Sequence, residues 1–546
     1  MNRSRGIVAA AALAGALVSG GWLLQRGLVR GGDTTLGAQL FQQVLDHVQN
    51  QYVDSLPQDT LFRKATVGML RLLDDPHTVY LDPERLGNLT ESTSGMYAGL
   101  GIQIDVRDGW ITIIAPLPGT PADRAGIEPG DRIVSVNGKA SGGWTADEAR
   151  EALRGEPGTR VSLLIERPGV SGQLPFTVTR SDIHIRSVRH AMMLADHVGY
   201  VQLNIFSDSS EDELRDAIGS LVREGMTTLI FDLRDNPGGL LEQGVDIAGM
   251  FLGKGQSIVS MRGRTPESAH EFVNPSGQLW PKLDLITLVN DHSASAAEIV
   301  AGALQDHDRS LILGGTSYGK GSAQSLFPLG SGEGALKLTT ARWYTPSGRS
   351  IQKARADSTG DDRGGGTDSN AAPERPLSQR REYHTDAGRI VYGGGGITPD
   401  LILASADSGN GMLSFWRMLG TDIPRFRDAL TDYALGVKAS KTVSSPDFAV
   451  TPAMRDEFWR RLQAKGVHQL SRAQYDSATT QVNQLLAAEI ARFSFGLDAS
   501  FHRQLRSDRV VGTALQLAAQ ATDQRALLSR AAQMRAAHEE DVKPRP

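Results

Sequence analysis

The sequence predicts a multidomain α/β protein: a strand–helix core with a parallel-rich sheet, an inserted module of short strands, and helical segments at both ends. Three observations point there. Between 180 and 400, apolar runs of strand length alternate with amphipathic helix patterns, the signature of a largely parallel sheet. Before them, from Tyr97 to about Pro168, short strands are broken by Gly and Pro turns. Finally, 546 residues exceed what one hydrophobic core organises.

The elements follow in order. Arg3 and Arg5 precede an apolar run from Ile7 to Leu24, and Arg26 and Arg30 follow it. A basic start before such a run marks residues 1–30 as a secretory signal peptide or an uncleaved signal anchor. Either one places the rest outside the cytoplasm, in the periplasm or anchored at the inner membrane. Residues 31–92 read as helical: Leu40, Phe41, Val44, Leu45 and Val48 share one face, and a second pattern runs through Leu61, Phe62, Val67, Met69, Leu70 and Leu73. In the module at 93–170, Trp110 to Ile114 reads as a strand and Asn137-Gly138 as a hairpin turn. Thr145 with Glu148 forms a capping box for a helix to Leu153, and Val161 to Glu166 closes the module.

The core, 180–405, carries strands at 200–205, 227–233, 283–289 and 310–313, with helices at 211–222 and about 293–304. Residues 354–381, rich in Gly, Asp, Ser and Arg, read as a disordered surface insertion. Beyond 406 the pattern is helical. Phe415, Trp416 and Met418, then Phe458, Trp459 and Leu462, then Val482, Leu485, Leu486 and Ile490, each lie on one face, with no chemical motif among them.

Composition excludes several functions. A net charge of −5 offers no basic excess for phosphates, so nucleic acid is not an expected partner. The absence of cysteine removes a thiol nucleophile, a thiolate metal site and any disulfide. No H-E-x-x-H or clustered His/carboxylate pattern suggests a metal, and no cofactor is expected.

Chemistry concentrates in three loops. Strand 283–289 runs into Asn290-Asp291-His292-Ser293-Ala294-Ser295, then a helix. A strand-to-helix turn presents a side chain at the sheet edge beside free helix amides, which can stabilise an oxyanion. Taken alone, Ser295-Ala296-Ala297-Glu298 is more simply a capping box. Lys320 lies between Gly319 and Gly321. Gly314 to Lys320 fits a phosphate-loop pattern, but position 321 is Gly where Ser or Thr must hold Mg²⁺, and a strand rather than a helix follows. Gln324 lies four residues on. A lysine acts as general base only when neutral, and an amide can orient it without adding the charge that a carboxylate would bring. Ser295, Lys320 and Gln324 therefore form a coherent set for acyl transfer. In Asp232-Leu233-Arg234-Asp235-Asn236-Pro237-Gly238-Gly239, the amide of Gly238 or of Gly239 would complete an oxyanion hole with that of Ala296. A Ser-His-Asp triad through His292 or His307 lacks the G-x-S-x-G setting.

These segments resemble the carboxyl-terminal processing, or tail-specific, serine peptidases. The resemblance spans roughly 36–403 and rests on DLRDNPGG at 232–239, VNDHSASAAEIVAGALQD at 289–306, GTSYGKGSAQS at 315–325, TTARWYTPSGRSIQ at 339–352 and VYGGGGITPD at 391–400. It implies Ser295 as nucleophile, Lys320 as base and Gln324 as its orienter. PADRAGIEPGDRIVSVNG at 121–138 resembles a bacterial PDZ module, which implies that Gly99, Leu100, Gly101 and Ile102 hold a peptide carboxylate and that the peptide adds as a strand beside 102–104. The expected partners are protein or peptide C-termini. Oligomeric state stays open, a homo-oligomer among the options. The rival reading is an inactive PDZ-containing peptide-binding scaffold.

Overall fold

The structure, a computed structural model, describes residues 36–330, 334–353, 376–403 and 411–542. The 1–30 segment and most of the 354–381 insertion lie outside the described residues. At the insertion's end, a 3₁₀ turn spans Leu377–Gln379, and Arg380 is buried at 8% exposure. That part is ordered because Arg380 packs against the Gly395 backbone.

The described chain divides into two compact units. The first comprises 36–86 with 324–339. Its helices span 36–51 and Gln58–Arg71, and strand Val79–Leu81 pairs antiparallel with 335–337. The helical expectation holds, but the apolar face is largely uncovered. Leu45, Leu61 and Leu70 are buried, whereas Leu40, Phe41, Val44, Met69 and Leu73 are each more than half exposed.

The second unit holds the rest. Its centre is a six-stranded sheet in the order Val188–Ala195, Val198–Leu203, Thr228–Asp232, Asp284–Val289, Leu311–Gly314 and Leu401–Ile402. The first pair is antiparallel and all later pairings are parallel. Helices Ser210–Arg223, Leu241–Gly249 and Ala296–Asp306 cover one face through Leu214, Ile218, Ile247, Ala297 and Val300. A parallel sheet needs both faces buried. The other face presents Tyr200, Ile230, Ile286, Leu288, Leu311 and Leu313, and it is covered by Val510, Val511, Ala514, Leu517 and Leu527 from the C-terminal helices Arg509–Gln520 and Gln524–Val542. The C-terminal region thus supplies the missing layer of the core. Its earlier helices, Met412–Leu419 to Thr479–Phe495, form a bundle of their own around Phe415, Phe426, Phe458 and Tyr475.

The inserted module is a separate sheet, ordered Ile102–Arg107, Trp110–Pro116, Arg132–Val136, Arg160–Glu166 and Gln173–Thr179, with a core of Ile111, Ile113, Ile133, Val161 and Ile165. The expected closing strand 161–166 is not the last, since Gln173–Thr179 pairs with it along its length. Pro175 disguises that strand in the sequence, and an edge strand tolerates proline. Thr145 caps helix Ala146–Leu153 as expected, accepting from Glu148 N (3.2 Å) while Glu148 Oε2 accepts from Thr145 N (2.8 Å). Asn137 and Gly138 both take positive φ in the hairpin turn.

Candidate active site

Ser295 connects strand Asp284–Val289 to helix Ala296–Asp306. Its φ of 56° and ψ of −115° lie where L side chains are strained, a cost of about 1–3 kcal/mol that persists only when neighbours enforce it. They do. The Ser295 amide donates to Glu298 Oε2 (2.8 Å), Glu298 N donates to the Ser295 carbonyl (2.9 Å), and Ala294 N donates to the Asn236 carbonyl (2.9 Å). The Ser295 hydroxyl makes no side-chain capping bond. Ser293 does not cap this helix either. Its hydroxyl donates to Leu233 O (2.7 Å) and accepts from Asn290 N (2.9 Å), which pins the loop to the neighbouring strand end. The helix begins at Ala296 rather than near Ser293, and the Ala296 amide, its first, has no hydrogen-bond partner among the described residues.

The glycine loop lies against this turn. A Cβ on Gly238 would fall 2.8 Å from Ser295 Cβ and 3.0 Å from Ala296 N, so only glycine admits the approach. The Gly238 amide donates to Asn236 Oδ1 (2.8 Å), and Asn236 Nδ2 donates to Leu203 O (2.7 Å). Gly238 O accepts from Phe206 N (3.0 Å), and Phe206 O accepts from Leu240 N (2.8 Å). These bonds bracket Gly239 and leave its own amide without a partner among the described residues.

Lys320 is half-buried in the loop after strand Leu311–Gly314. Glu298, fully buried, joins this loop to Ser295: Oε1 accepts from Ser317 Oγ (2.6 Å) and Gly319 N (2.6 Å), and Oε2 from Lys320 N (3.0 Å) as well as Ser295 N (2.8 Å). Burial pushes its carboxyl above the usual range, against the four hydrogen bonds that favour its charge. Ser317 Oγ also accepts from Ile397 N (2.6 Å), and Tyr318 N donates to Ser293 O (3.0 Å). Sequence reasoning saw Glu298 only as a capping partner; its place three residues after a candidate nucleophile was the available signal.

Gln324 opens the second part of strand Ser322–Pro328, and its Nε2 donates to Thr339 Oγ1 (3.2 Å) within the first unit. His292 is 72% exposed at its side chain and pairs with Asp291 (3.0 Å). His307 bonds Asp386 Oδ2 and the Ser257 carbonyl, both at 2.7 Å. Neither histidine is hydrogen-bonded to Ser295. Among the described residues no acidic or histidine group forms a metal cluster.

In the inserted module, Gly99 ends strand Met96–Gly99 and Leu100 is buried at 2%. Gly101 has φ +74°, and a Cβ there would strike Thr120 at 2.3 Å. Its carbonyl accepts from Leu117 N (2.8 Å) and Thr120 Oγ1 (3.1 Å). Ile102 starts a strand whose outer edge has no strand partner among the described residues, and helix Ala146–Leu153 packs beside it.

Comparison with known proteins follows this division. Residues 197–359 match the model of peptidase family S41, 112–167 that of the PDZ domain, and 31–85 that of the activating protease CtpB N-terminal domain. The carboxy-terminal-processing protease of Bartonella bacilliformis is 40% identical over 316 residues, covering 57% of this chain and 72% of that protein. The chain belongs to this family of serine peptidases. The carboxy-terminal processing protease CtpA of Bacillus subtilis is 36% identical over 308 residues, 56% of this chain and 65% of that one. Among solved structures, the photosystem II D1 C-terminal processing protease is 30% identical, covering 57% of this chain and 89% of that chain, with a TM-score of 0.34. The peptidase therefore carries an S41 core, a PDZ domain and the helical C-terminal region described above.

Proposed function

We propose that the peptidase cleaves proteins near their C-termini through a Ser295–Lys320 pair. The observation that carries the reading is the buried Glu298 carboxylate, which holds the amides of Ser295 and Lys320 with a single oxygen. In this reading neutral Lys320 takes the Ser295 proton as the hydroxyl attacks the scissile carbonyl. An acyl-enzyme forms, the proton passes to the leaving amine, and water then releases the acyl group. Gln324 is the neutral orienting amide. The Ala296 and Gly239 amides receive the oxyanion, since the Gly238 amide already serves Asn236.

The PDZ domain takes the substrate tail, its carboxylate at Gly99 to Ile102 and its backbone on the open edge of Ile102–Arg107. The unpaired edge and the adjacent helix support this. Residues 1–30 deliver the enzyme outside the cytoplasm, to the periplasm or the inner-membrane surface. The exposed Leu40, Phe41 and Val44 support a homo-oligomer built through the first unit.

The test is cleavage of an unfolded protein with a free apolar C-terminus, followed by mass spectrometry. Ser295→Ala and Lys320→Ala should each abolish cleavage, and blocking the tail carboxylate as an amide should slow the wild type. Undiminished cleavage by Ser295→Ala would refute the assignment. An inactive scaffold predicts tail binding without cleavage in the wild type.

A further inference from the structure

Four tethers hold the loop that bears the oxyanion glycines. Three come from the catalytic core: Asn236 to Leu203 and Ala294, Asp235 to Asn290 (2.9 and 3.0 Å), and Phe206 to Gly238 and Leu240. The fourth begins at Asp232, at the end of strand Thr228–Asp232 and fully buried. Its carboxylate accepts from Tyr200 Oη (2.7 Å), Arg234 N (2.9 Å), Arg234 Nε (2.9 Å) and Arg234 Nη2 (2.6 Å). Burial and the Asp232 charge push the Tyr200 phenol far above its ordinary range, so it is a fixed donor. One guanidinium nitrogen remains, and Nη1 donates to Asp508 Oδ2 (2.7 Å).

Asp508 belongs to the C-terminal helical region, well beyond the segment that matches the peptidase family. Its other oxygen, Oδ1, caps helix Arg509–Gln520 by accepting from Val510 N (2.8 Å) and Val511 N (3.1 Å). That helix packs on the sheet through Val510, Val511, Ala514 and Leu517, so Asp508 is anchored in a rigid element. A cavity of about 990 Å³ opens beside the pair, lined by Tyr200, Asp232, Arg234 and Asp508 among others. A guanidinium released from Asp508 has room to hydrate and swing there.

We infer that Asp508 is a positioning residue for the peptidase reaction: by holding Arg234 it fixes the loop that presents the Gly239 amide to the oxyanion. The C-terminal region is then part of the catalytic machinery as well as a cover for the sheet. The inference rests on the Ser295–Lys320 reading. Asp232 grips the guanidinium through Nε and Nη2, and the single charge-assisted bond from Nη1 to Asp508 engages the remaining nitrogen and ties the side chain to the C-terminal helix; a modest misplacement of a catalytic donor is costly.

Asp508→Asn separates the two roles. Asparagine caps a helix as well as aspartate does but brings no charge to Arg234. In the full chain, kcat of Asp508→Asn should fall about tenfold while KM moves less than about twofold, with the melting temperature little changed, as expected when a donor acting only in the transition state is loosened. Affinity for a peptidyl boronate, which mimics the tetrahedral intermediate, should weaken by the same factor as kcat/KM. Binding of uncleaved substrate peptide to Asp508→Asn/Ser295→Ala should equal that to Ser295→Ala. Asp508→Glu, which keeps the charge, should restore part of the rate. Asp508→Ser, a second cap-preserving change, gives the same readout should the asparagine variant fold poorly. Wild-type kcat and boronate affinity in these variants would overturn the inference, as would a slower enzyme whose boronate affinity is intact. Cleavage surviving Ser295→Ala would instead remove the underlying dyad, a result distinguishable from either.

Discussion

The amide of Lys320 lies 3.0 Å from Glu298 Oε2, the same oxygen that receives the amide of Ser295 at 2.8 Å. Both candidate dyad residues are thus registered on one buried carboxylate. Glu298→Gln keeps one acceptor oxygen but turns an NH₂ group toward amides that are themselves donors. Each buried amide left unpaired costs about 1–3 kcal/mol, and the loop should shift to relieve it. The expected outcome is a roughly hundredfold lower kcat, the scale of an ångström misplacement at a catalytic group, with the circular dichroism spectrum retained. The pH dependence has a definite sign. Burial raises the Glu298 carboxyl above its ordinary value. Its contribution to stability is therefore full below the unfolded glutamate pKa and is lost as pH rises through the folded one. Activity runs the other way, since four donors require the ionised form. As pH falls through the raised pKa, kcat/KM should decline while this group gives no loss of melting temperature. Glu298→Gln should lack that acid limb. A parallel fall of activity and melting temperature would refute the account.

Ser295 carries φ of 56°, a conformation glycine adopts without strain. Ser295→Ala and Ser295→Gly should both be inactive, yet their stabilities should differ. Alanine keeps the Cβ strain, whereas glycine relieves about 1–3 kcal/mol of it at a chain-entropy cost of roughly 0.5–1 kcal/mol. Ser295→Gly should therefore be about 1 kcal/mol more stable than Ser295→Ala in urea unfolding. Equal stabilities would show that the turn is unstrained.

The fold class was legible in the alternation of apolar strands and amphipathic helices between 180 and 400, and so were the turns at which the proposed chemistry is placed. Ser295, Lys320 and the glycine loop stand in short, composition-marked turns between strong apolar strands, where local residue choice dictates local geometry. The contacts of Glu298 were not legible, because a capping box and a buried carboxylate that accepts from four donors have the same spelling; what separates them is whether the 317–320 loop folds over it. The function of residues 497–542 was hidden for a related reason. An amphipathic helix declares that it has an apolar face but not which surface it covers, and here Val510 and Leu517 find a sheet face formed by residues 200–313. Strand Gln173–Thr179 was missed because Pro175 breaks the β pattern at a position that only an edge strand allows. In the proposed mechanism the choice between Gly238 and Gly239 rests on the Asn236 side chain, whose direction no sequence pattern reports.

Gly238→Ala tests the loop from the nucleophile's side. The new methyl would stand 2.7 Å from the Ala294 carbonyl and 2.8 Å from Ser295 Cβ, at a φ of 92° that alanine resists. Both neighbours are backbone or near-backbone atoms that cannot rotate aside. The variant should lose at least about a hundredfold in kcat and unfold at lower urea concentration by about 1–3 kcal/mol. Activity near wild type would mean that the loop and the Ser295 turn are farther apart in the working enzyme.

Ion pairs join the PDZ domain to the C-terminal bundle. Lys465 Nζ lies 2.7 Å from both Asp108 and Asp432, Arg132 lies 3.4 Å from Asp432, and Arg427 pairs with Asp105 at 2.9 Å; the Leu435 side chain lies against Gly130. Burial is the largest single influence on Asp108 and opposes its charge, but the hydrogen bond and charge of Lys465, the Asp428 hydrogen bond and the Arg132 charge together outweigh it and depress its pKa. That contribution is present above the unfolded aspartate pKa of about 3.9 and is lost as pH falls through the folded value. Asp428, raised by burial and then by the Asp108 charge, works in the opposite sense. Side chains about a third exposed are partly screened, so Lys465→Ala should weaken the contact by only about 1 kcal/mol. Even so, a change of that size shifts the populations of a loosely held domain. Hydrogen exchange should quicken at 105–108 and 128–132 in Lys465→Ala, and in the wild type as salt is raised, with the exchange of strand Thr228–Asp232 unaltered. Unchanged exchange at 105–108 would show that the bundle does not restrain the PDZ domain through this lysine.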